Sequence, residues 1–280
     1  GIGSSTPVLS YPGVKLEKVH KAESPDYLFL DLRIMGVTKP GNMVIKFNKQ
    51  GKTISTYNYL LASRNKDRAA VKGFSSSDVI YLITPDRFAN GDPSNDVVEG
   101  MREQRINRTN DYGRHGGDIR GLINNLDYIA SMGFTAIWPT PLLENDMPNA
   151  SYHGYAITDF YKVDPRFGTL EEYKELADKA RQKGLKLIFD GVVNHSGSKY
   201  WWMNNLPFKN WINYPDSIRI TNHRRTVNQD LYAAAADKES MVRGWFVSQM
   251  PDMNHDNPFL STFLIQNSIW WVETLGLAGI

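Results

Sequence analysis

The 280-residue chain contains no cysteine, which removes disulfides, thiolate nucleophiles and Cys-built zinc sites from consideration. The same absence fixes no compartment, because a chain of this size needs no bridges to fold. Excess charge of one sign is missing too. The 32 Lys and Arg stand against 30 Asp and Glu for a formal net charge of +2, with no basic stripe of the kind a nucleic-acid groove needs, so a neutral substrate fits better. No apolar run approaches the roughly 18 residues of a transmembrane helix, so no membrane span is expected. The opening Gly1-Ile-Gly-Ser-Ser5 is neither a Met start nor the apolar core of a signal peptide, and the amino end is expected to be processed or cut. No histidines cluster at zinc-ligand spacing, and His115 and His223 stand alone, which reads as structural.

What is present is ordinary in bulk, 41% apolar and 22% charged, which excludes disorder and fibre. Aromatic residues reach 12%, enough to suggest that some rings have a binding task as well as a packing one.

Residues 1 to 62 read as β-structure. Leu28, Leu30, Leu32 and Ile34 alternate with Tyr27, Phe29, Asp31 and Arg33, the period of a half-buried strand, and two further runs flank a turn at Asn48-Lys-Gln-Gly51. A small β-sandwich is expected there. The polar, Ser-rich stretch 63–77 reads as a linker. From Asp78 to Ile280 the pattern changes to strand–helix alternation, with Val79-Ile-Tyr-Leu-Ile83 as an apolar run suited to a parallel strand buried on both faces. A helix, a Gly and a strand then recur: Gly133 before Phe134–Trp138, Gly184 before Leu185–Phe189, Gly276 before Leu277–Ile280. Thr169 with Glu172 forms a capping box, and Asn257-Pro258 starts another helix. This alternation predicts a parallel α/β architecture. Barrel and doubly wound sheet both remain open on pattern alone, although no phosphate-type glycine fingerprint follows the first strand. The 196–256 stretch, rich in tryptophan, is too long for an ordinary loop and is expected to be functional or a small subdomain.

Two constellations carry chemistry. Asp86 to Asp96 places Asn90, Asp92, Asn95 and Asp96 just after the first strand, with Gly116-Gly-Asp118 as a second oxygen source. Converging Asp and Asn oxygens suit Ca²⁺ better than Mg²⁺. A solvated turn, rich in Asn and Asp because such residues make turns, is the alternative. The other constellation lies at strand ends: His153-Gly-Tyr155 after the second strand, and Asp190, Asn194 and His195 in Phe189-Asp-Gly-Val-Val-Asn-His195 after the third. Parallel α/β barrels keep their chemistry at that end. A His and a Tyr reaching a cleft can bind hydroxyls and stack on a sugar face, whereas each taken alone more commonly packs a loop.

With these residues in view, the chain resembles the α-amylase family of glycoside hydrolases, in its neopullulanase and cyclomaltodextrinase branch. The motifs are Phe189–His195, Tyr152-His-Gly-Tyr155 with Val163-Asp-Pro-Arg-Phe-Gly-Thr169, Asp86–Asp96 with Gly116–Asp118, and Met250-Pro-Asp-Met-Asn254. The resemblance implies an α/β fold: the first four strands of a (β/α)8 TIM-type barrel, preceded by the branch's amino-terminal β-sandwich. It further implies that Tyr155 stacks on the sugar, that His195 with His153 hydrogen-bonds its hydroxyls, and that Asp190 organises charge around a catalytic arginine. Variants of Tyr155 and His195 are then expected to leave the fold largely unchanged. Asn90, Asp92, Asn95, Asp96, Gly116 by its carbonyl, and Asp118 would hold Ca²⁺. The implied partner is an α-glucan oligosaccharide, with a homodimer as a further possibility.

In this family the nucleophilic Asp follows an Arg on the fourth strand, and the sequence stops at Ile280, just before that position. Retaining hydrolysis needs two carboxyl groups, so the chain is expected to be part of a larger enzyme and inactive alone. The runner-up is a non-catalytic carbohydrate-binding or transport-associated protein of the same architecture. A third class is a metal-dependent hydrolase using Asp190 and His195. A periplasmic or secreted location is expected, with a cytoplasmic one as the alternative.

Overall fold

The computed structural model describes residues 1–64 and 71–280, so the centre of the 63–77 stretch lies outside the described residues. The chain divides into two compact units, one of Gly1–Arg64 with Asn204–Trp211, the other of Asn65–Met203 with Ile212–Ile280.

In the first unit, β1 (Thr6–Leu9), β4 (Gly41–Lys49) and β5 (Lys52–Leu61) form one antiparallel sheet, and β2 (Val14–Lys21) pairs with β3 (Leu28–Ile34) in another. Alternate residues of β4, Met43, Ile45 and Phe47, are buried and pack with Leu28, Leu30 and Leu32 of β3. A period of two thus puts the apolar set of each sheet on one face, and the faces meet as a sandwich. Ile34, in step with those leucines, is nevertheless 52% exposed at the strand end. The β4–β5 turn is tight, with Gln50 at φ 50° and Gly51 at φ 76°, the paired positive values that a two-residue hairpin turn demands.

The unit is completed from an unexpected place. Residues 204–211 come from the long 196–256 stretch, and Phe208 stacks on Phe29 with ring centroids 5.8 Å apart. Backbone ties accompany the ring: Ser24 N donates to the Pro207 carbonyl at 3.1 Å and Lys209 N to Glu23 Oε2 at 2.8 Å.

In the second unit, β6 (Ile80–Ile83), β7 (Ala136–Pro139) and β10 (Lys186–Leu187) form a parallel sheet in the order β10-β7-β6. A parallel bridge from Ile188 to Gly279 puts the last residues alongside β10. Between β7 and β10, β8 (Leu143–Glu144) pairs antiparallel with β9 (Asp159–Val163). Among the described residues the α-helices are α1 (Pro85–Phe88), α2 (Ile119–Asn124), α3 (Leu126–Ser131), α4 (Leu170–Gln182), α5 (Ala235–Val242) and α6 (Pro258–Leu275). The capping box forms on α4, where Glu172 N donates to Thr169 Oγ1 at 3.1 Å and Thr169 N to Glu172 Oε2 at 3.0 Å. Asn257 caps α6, and Gly276 ends it at φ 64°. The stripe Leu122, Leu126 and Ile129 is buried as its spacing predicts, but the helix breaks at Asn125, whose Nδ2 turns back to the Gly121 carbonyl at 2.8 Å.

β6 departs from its sequence pattern. Val79 and Leu82 are 53% and 55% exposed, and of the run only Ile83 is deeply buried. The reason is topological: β6 pairs with β7 alone, and among the described residues the parallel strands form an open sheet, not a closed barrel. No helix among the described residues is long and apolar enough to cross a membrane.

Candidate active site

The site is built from loops at the carboxyl ends of β7 and β10. Beyond β8 the chain makes a short turn, Ser151–His153, entered at Ala150 with φ 55° and left at Gly154 with φ 80°. A side chain at Gly154 would collide with the Pro141 carbonyl, so the turn needs Gly for both its backbone sign and its space. The turn sets His153 and Tyr155 together: Tyr155 N donates to His153 Nδ1 at 2.9 Å, and the rings lie 5.7 Å apart. On the other loop, Phe189 N bonds the Gly279 carbonyl at 3.0 Å, and the next residue, Asp190, accepts the Tyr155 hydroxyl at 3.0 Å. His153, Tyr155 and Asp190 are therefore joined by direct hydrogen bonds.

His195 is held differently. Its backbone forms an antiparallel bridge with Asp252, flanked by Met253 N to Asn194 O at 3.0 Å and Ser196 N to Pro251 O at 3.2 Å. Its ring stacks on Phe246 with centroids 5.5 Å apart, and Nδ1 lies 3.2 Å from Asn194 Nδ2. The residue is only 8% exposed, and its ring lies within hydrogen-bonding reach of the Tyr155 backbone. The imidazole belongs to the wall of the site more than to its open surface. Of the two isolated histidines, His115 offers its backbone N–H to Asp86 at 2.8 Å, and His223 meets the Phe246 ring edge-on.

Burial governs the charge state. It pushes the His195 imidazole down to about 4 and lowers His153 as well, so both rings are neutral near pH 7. Burial and the neighbouring Asp190 carboxylate push the Tyr155 hydroxyl up to about 12. Asp190 is raised by burial, against hydrogen bonds from Tyr155 and Trp138 that favour its charge. Near neutral pH the result is one carboxyl group flanked by uncharged donors and acceptors, chemistry that matches hydroxyl groups better than ions. Trp138 and Phe246 were not marked by the sequence. Trp138 sits at the end of an apolar strand run and Phe246 far along the chain, so spacing alone gave neither a signal.

Behind these loops lies a buried ionic lattice. Arg166 binds Asp164 in a two-pronged pair, Nε to Oδ1 at 2.9 Å and Nη2 to Oδ2 at 2.7 Å, and also donates to the Asn145 carbonyl at 2.8 Å. Burial pushes the Asp164 carboxyl up, but the Arg166 hydrogen bonds and charge outweigh it and hold the group below the usual range. Arg114, fully buried, lies 3.9 Å from Asp86 and over the Phe167 ring. Such charges persist out of water only when paired, and here the pairs fix the loops that carry His153 and Tyr155.

A second cluster follows β6. Asp118 Oδ1 caps α2 through Gly121 N at 2.6 Å and accepts Gly91 N at 3.0 Å; its Oδ2 accepts Asp92 N at 2.8 Å and Asn95 Nδ2 at 3.3 Å. Asn90 Nδ2 donates to Asp96 Oδ1 at 2.7 Å. Gly116, at φ 91°, comes so close to both that a Cβ would strike the Asp96 carboxylate. Asp92 turns its own carboxylate to Ser94, at 3.0 Å from N and 2.6 Å from Oγ. The Asn90 and Asn95 amide oxygens are buried with no hydrogen-bond partner. Among the described residues no three His, Cys, Asp or Glu side chains gather as a metal-ligand set; with the Asp92 carboxylate turned to Ser94, the cluster is left with the carboxylates of Asp96 and Asp118, the amides of Asn90 and Asn95, and backbone.

Comparisons with known proteins identify the family. Residues 82–277 match the family described as "Alpha amylase, catalytic domain", and residues 1–65 match "Cyclomaltodextrinase, N-terminal". The Beta/alpha-amylase of Paenibacillus polymyxa is 36% identical over 206 residues, covering 73% of this chain and 16% of that protein. Neopullulanase 2 of Thermoactinomyces vulgaris is 31% identical over 202 residues, 70% of this chain and 32% of that protein. The crystal structure of an Anoxybacillus alpha-amylase superposes with a TM-score of 0.60 at 36% identity, over 71% of this chain and 39% of that one. The chain spans about a third or less of the length of these two curated relatives. With the catalytic-domain match extending over most of its length, the chain belongs to the α-amylase family.

Proposed function

We propose that this chain provides the sugar-holding face of an α-glucan hydrolase acting on starch-, pullulan- or cyclodextrin-type substrates by retention. Relatives named neopullulanase and cyclomaltodextrinase support the substrate class. The observation that carries the reading is the Tyr155–Asp190 hydrogen bond beside a neutral His153 at the carboxyl ends of parallel strands. Tyr155 offers a ring face to the sugar, and Asp190 holds that ring in place through its hydroxyl. His153 and His195 stay uncharged and can exchange hydrogen bonds with hydroxyls. Retaining hydrolysis also needs a nucleophile and an acid about 5 Å apart, and this reading gives neither role to Tyr155, Asp190, His153 or His195.

The reading includes a structural Ca²⁺ at the cluster after β6. The buried, unpartnered oxygens of Asn90 and Asn95 support it, since orphaned acceptors are costly unless a cation or water takes them. Asp96, Asp118 and the Gly116 carbonyl would complete the set, with Asp92 closing the loop through its capping bond. The ion would neutralise two neighbouring carboxylates and clamp the loop to the start of α2.

The test is reducing-sugar release from maltohexaose, pullulan and β-cyclodextrin by the full-length protein, alongside Tyr155→Ala. Turnover of at least one glucan that falls in the variant supports the reading. Glucan binding with no turnover would favour a non-catalytic carbohydrate-binding protein instead.

A further inference from the structure

A polar cavity of about 380 Å³ lies between the 102–113 and 148–150 loops, within the size range of small-ligand sites. It borders the same short turn that carries His153, because Ala150, one of its lining residues, is the residue that enters Ser151–His153. Ala150 holds a left-handed backbone, costly for a residue with a Cβ and most often retained where a loop serves a binding task. The lining has two parts. Arg102 and Glu103 are engaged, the first with Asp146 and the second with Ser151 N at 2.9 Å. The others are open. Arg105 is exposed and has no ion-pair partner among the described residues. Asn107 and Asn110 spend their carbonyl oxygens on Thr109 and on Tyr112 N, which leaves their amide donors for a ligand. Asn149 is exposed, and Tyr112 presents a ring that is 71% exposed.

Planar amides and a guanidinium set around an exposed ring form a recognition surface for a pyranose: the amides and guanidinium meet hydroxyls, and the ring meets a C–H face. We infer that this cavity is a distal glucosyl subsite, which binds a sugar unit of a long glucan chain some way from the units held at His153 and Tyr155. This rests on the α-glucan reading of the main site. It adds that this chain prefers long linear substrates, and that Tyr112 and Arg105 set the preference.

The experiment measures kcat/KM of the full-length protein on maltotriose and maltohexaose for wild type, Tyr112→Ala, Arg105→Ala and His153→Ala, with a thermal melt of each. Tyr112 and Arg105 are exposed, so their melts should match wild type. The expected result is a maltohexaose-to-maltotriose ratio of kcat/KM that falls about five- to tenfold in Tyr112→Ala and Arg105→Ala, the size of one lost ring or charged contact. His153→Ala should lower both substrates together. Ratios unchanged from wild type in both cavity variants overturn the subsite while leaving the main-site reading standing. Should wild type turn over no glucan, the functional reading fails, and calorimetric titration with maltohexaose still decides the cavity. Binding weakened by both variants supports the subsite, and binding unaffected by them, or absent, overturns it.

Discussion

His195 and Asp252 face each other across an antiparallel backbone bridge, and burial displaces their titrations in opposite directions, the imidazole down to about 4 and the carboxyl up to about 6. Asn213 Nδ2 donates to Asp252 at 2.7 Å without overcoming that burial.

Stability should respond to pH through this pair with opposing slopes. The folded value of His195 lies below its ordinary 6.5, so its contribution is present above that pH and lost as pH falls towards 4. The folded value of Asp252 lies above its ordinary 3.8, so its contribution is present in acid and lost as pH rises through about 6. Asp252→Asn removes the second slope. The variant is expected to melt higher than wild type at pH 7 and to lose stability more steeply between pH 6 and 4. The two proteins should diverge by on the order of 1 kcal/mol across that range, with solvent screening allowed for. Melts from pH 4 to 8 check it; parallel curves for the two proteins would contradict it.

Tyr155→Phe keeps the ring and deletes the hydroxyl bonded to Asp190. In the full-length enzyme kcat/KM should fall about tenfold, the value of one hydrogen bond to a charged group, with little change in melting temperature. His195→Ala should differ. Its position on a strand-end loop suggests a variant with an intact fold, but the ring is buried against Phe246. Its loss should cost roughly 1–3 kcal/mol of stability as well as activity. Steady-state kinetics paired with melts separate the two cases.

Chelation tests the cation. Adding EGTA to the purified protein should lower the melting temperature by several degrees, restored by excess Ca²⁺, because an ion bound only to the folded state stabilises by mass action. Asn90→Ala and Asn95→Ala should abolish the response. A melt indifferent to EGTA in wild type would count against a structural Ca²⁺.

The α4 capping box gives a local test. Thr169→Ala should cost about 1 kcal/mol. The Thr169→Ala, Glu172→Ala double variant should cost less than the two singles summed, because the two side chains cap each other reciprocally. Additive losses in denaturant titrations would mean that the bonds act independently.

Removing one partner of the buried Arg166–Asp164 pair should be far more damaging. Arg166→Met leaves a buried carboxylate uncompensated and is expected to cost about 3–5 kcal/mol. Urea unfolding monitored by tryptophan fluorescence would register this as a large drop in midpoint.

Local features were legible from sequence because their causes are local. The capping box at Thr169 and Glu172, the Asn257-Pro258 start of α6, the left-handed Gly276 and the inward faces of β3 and β4 depend on residues a few positions apart. The motif around Asp190 could be placed at a strand end for the same reason.

What the sequence determined by itself was the order of elements, their period, and the residue types that gather after each strand. Tertiary structure alone decided the rest. It recruited residues 204–211 to the first unit through Phe208 and Phe29, more than 170 residues apart. It exposed Val79 and Leu82 at a sheet edge that apolarity could not reveal. It also turned His195 into a buried wall residue by pairing it with Asp252 and covering it with Phe246. Pairing and burial are properties of what comes to lie alongside a residue, and only the folded chain sets neighbours so distant in sequence.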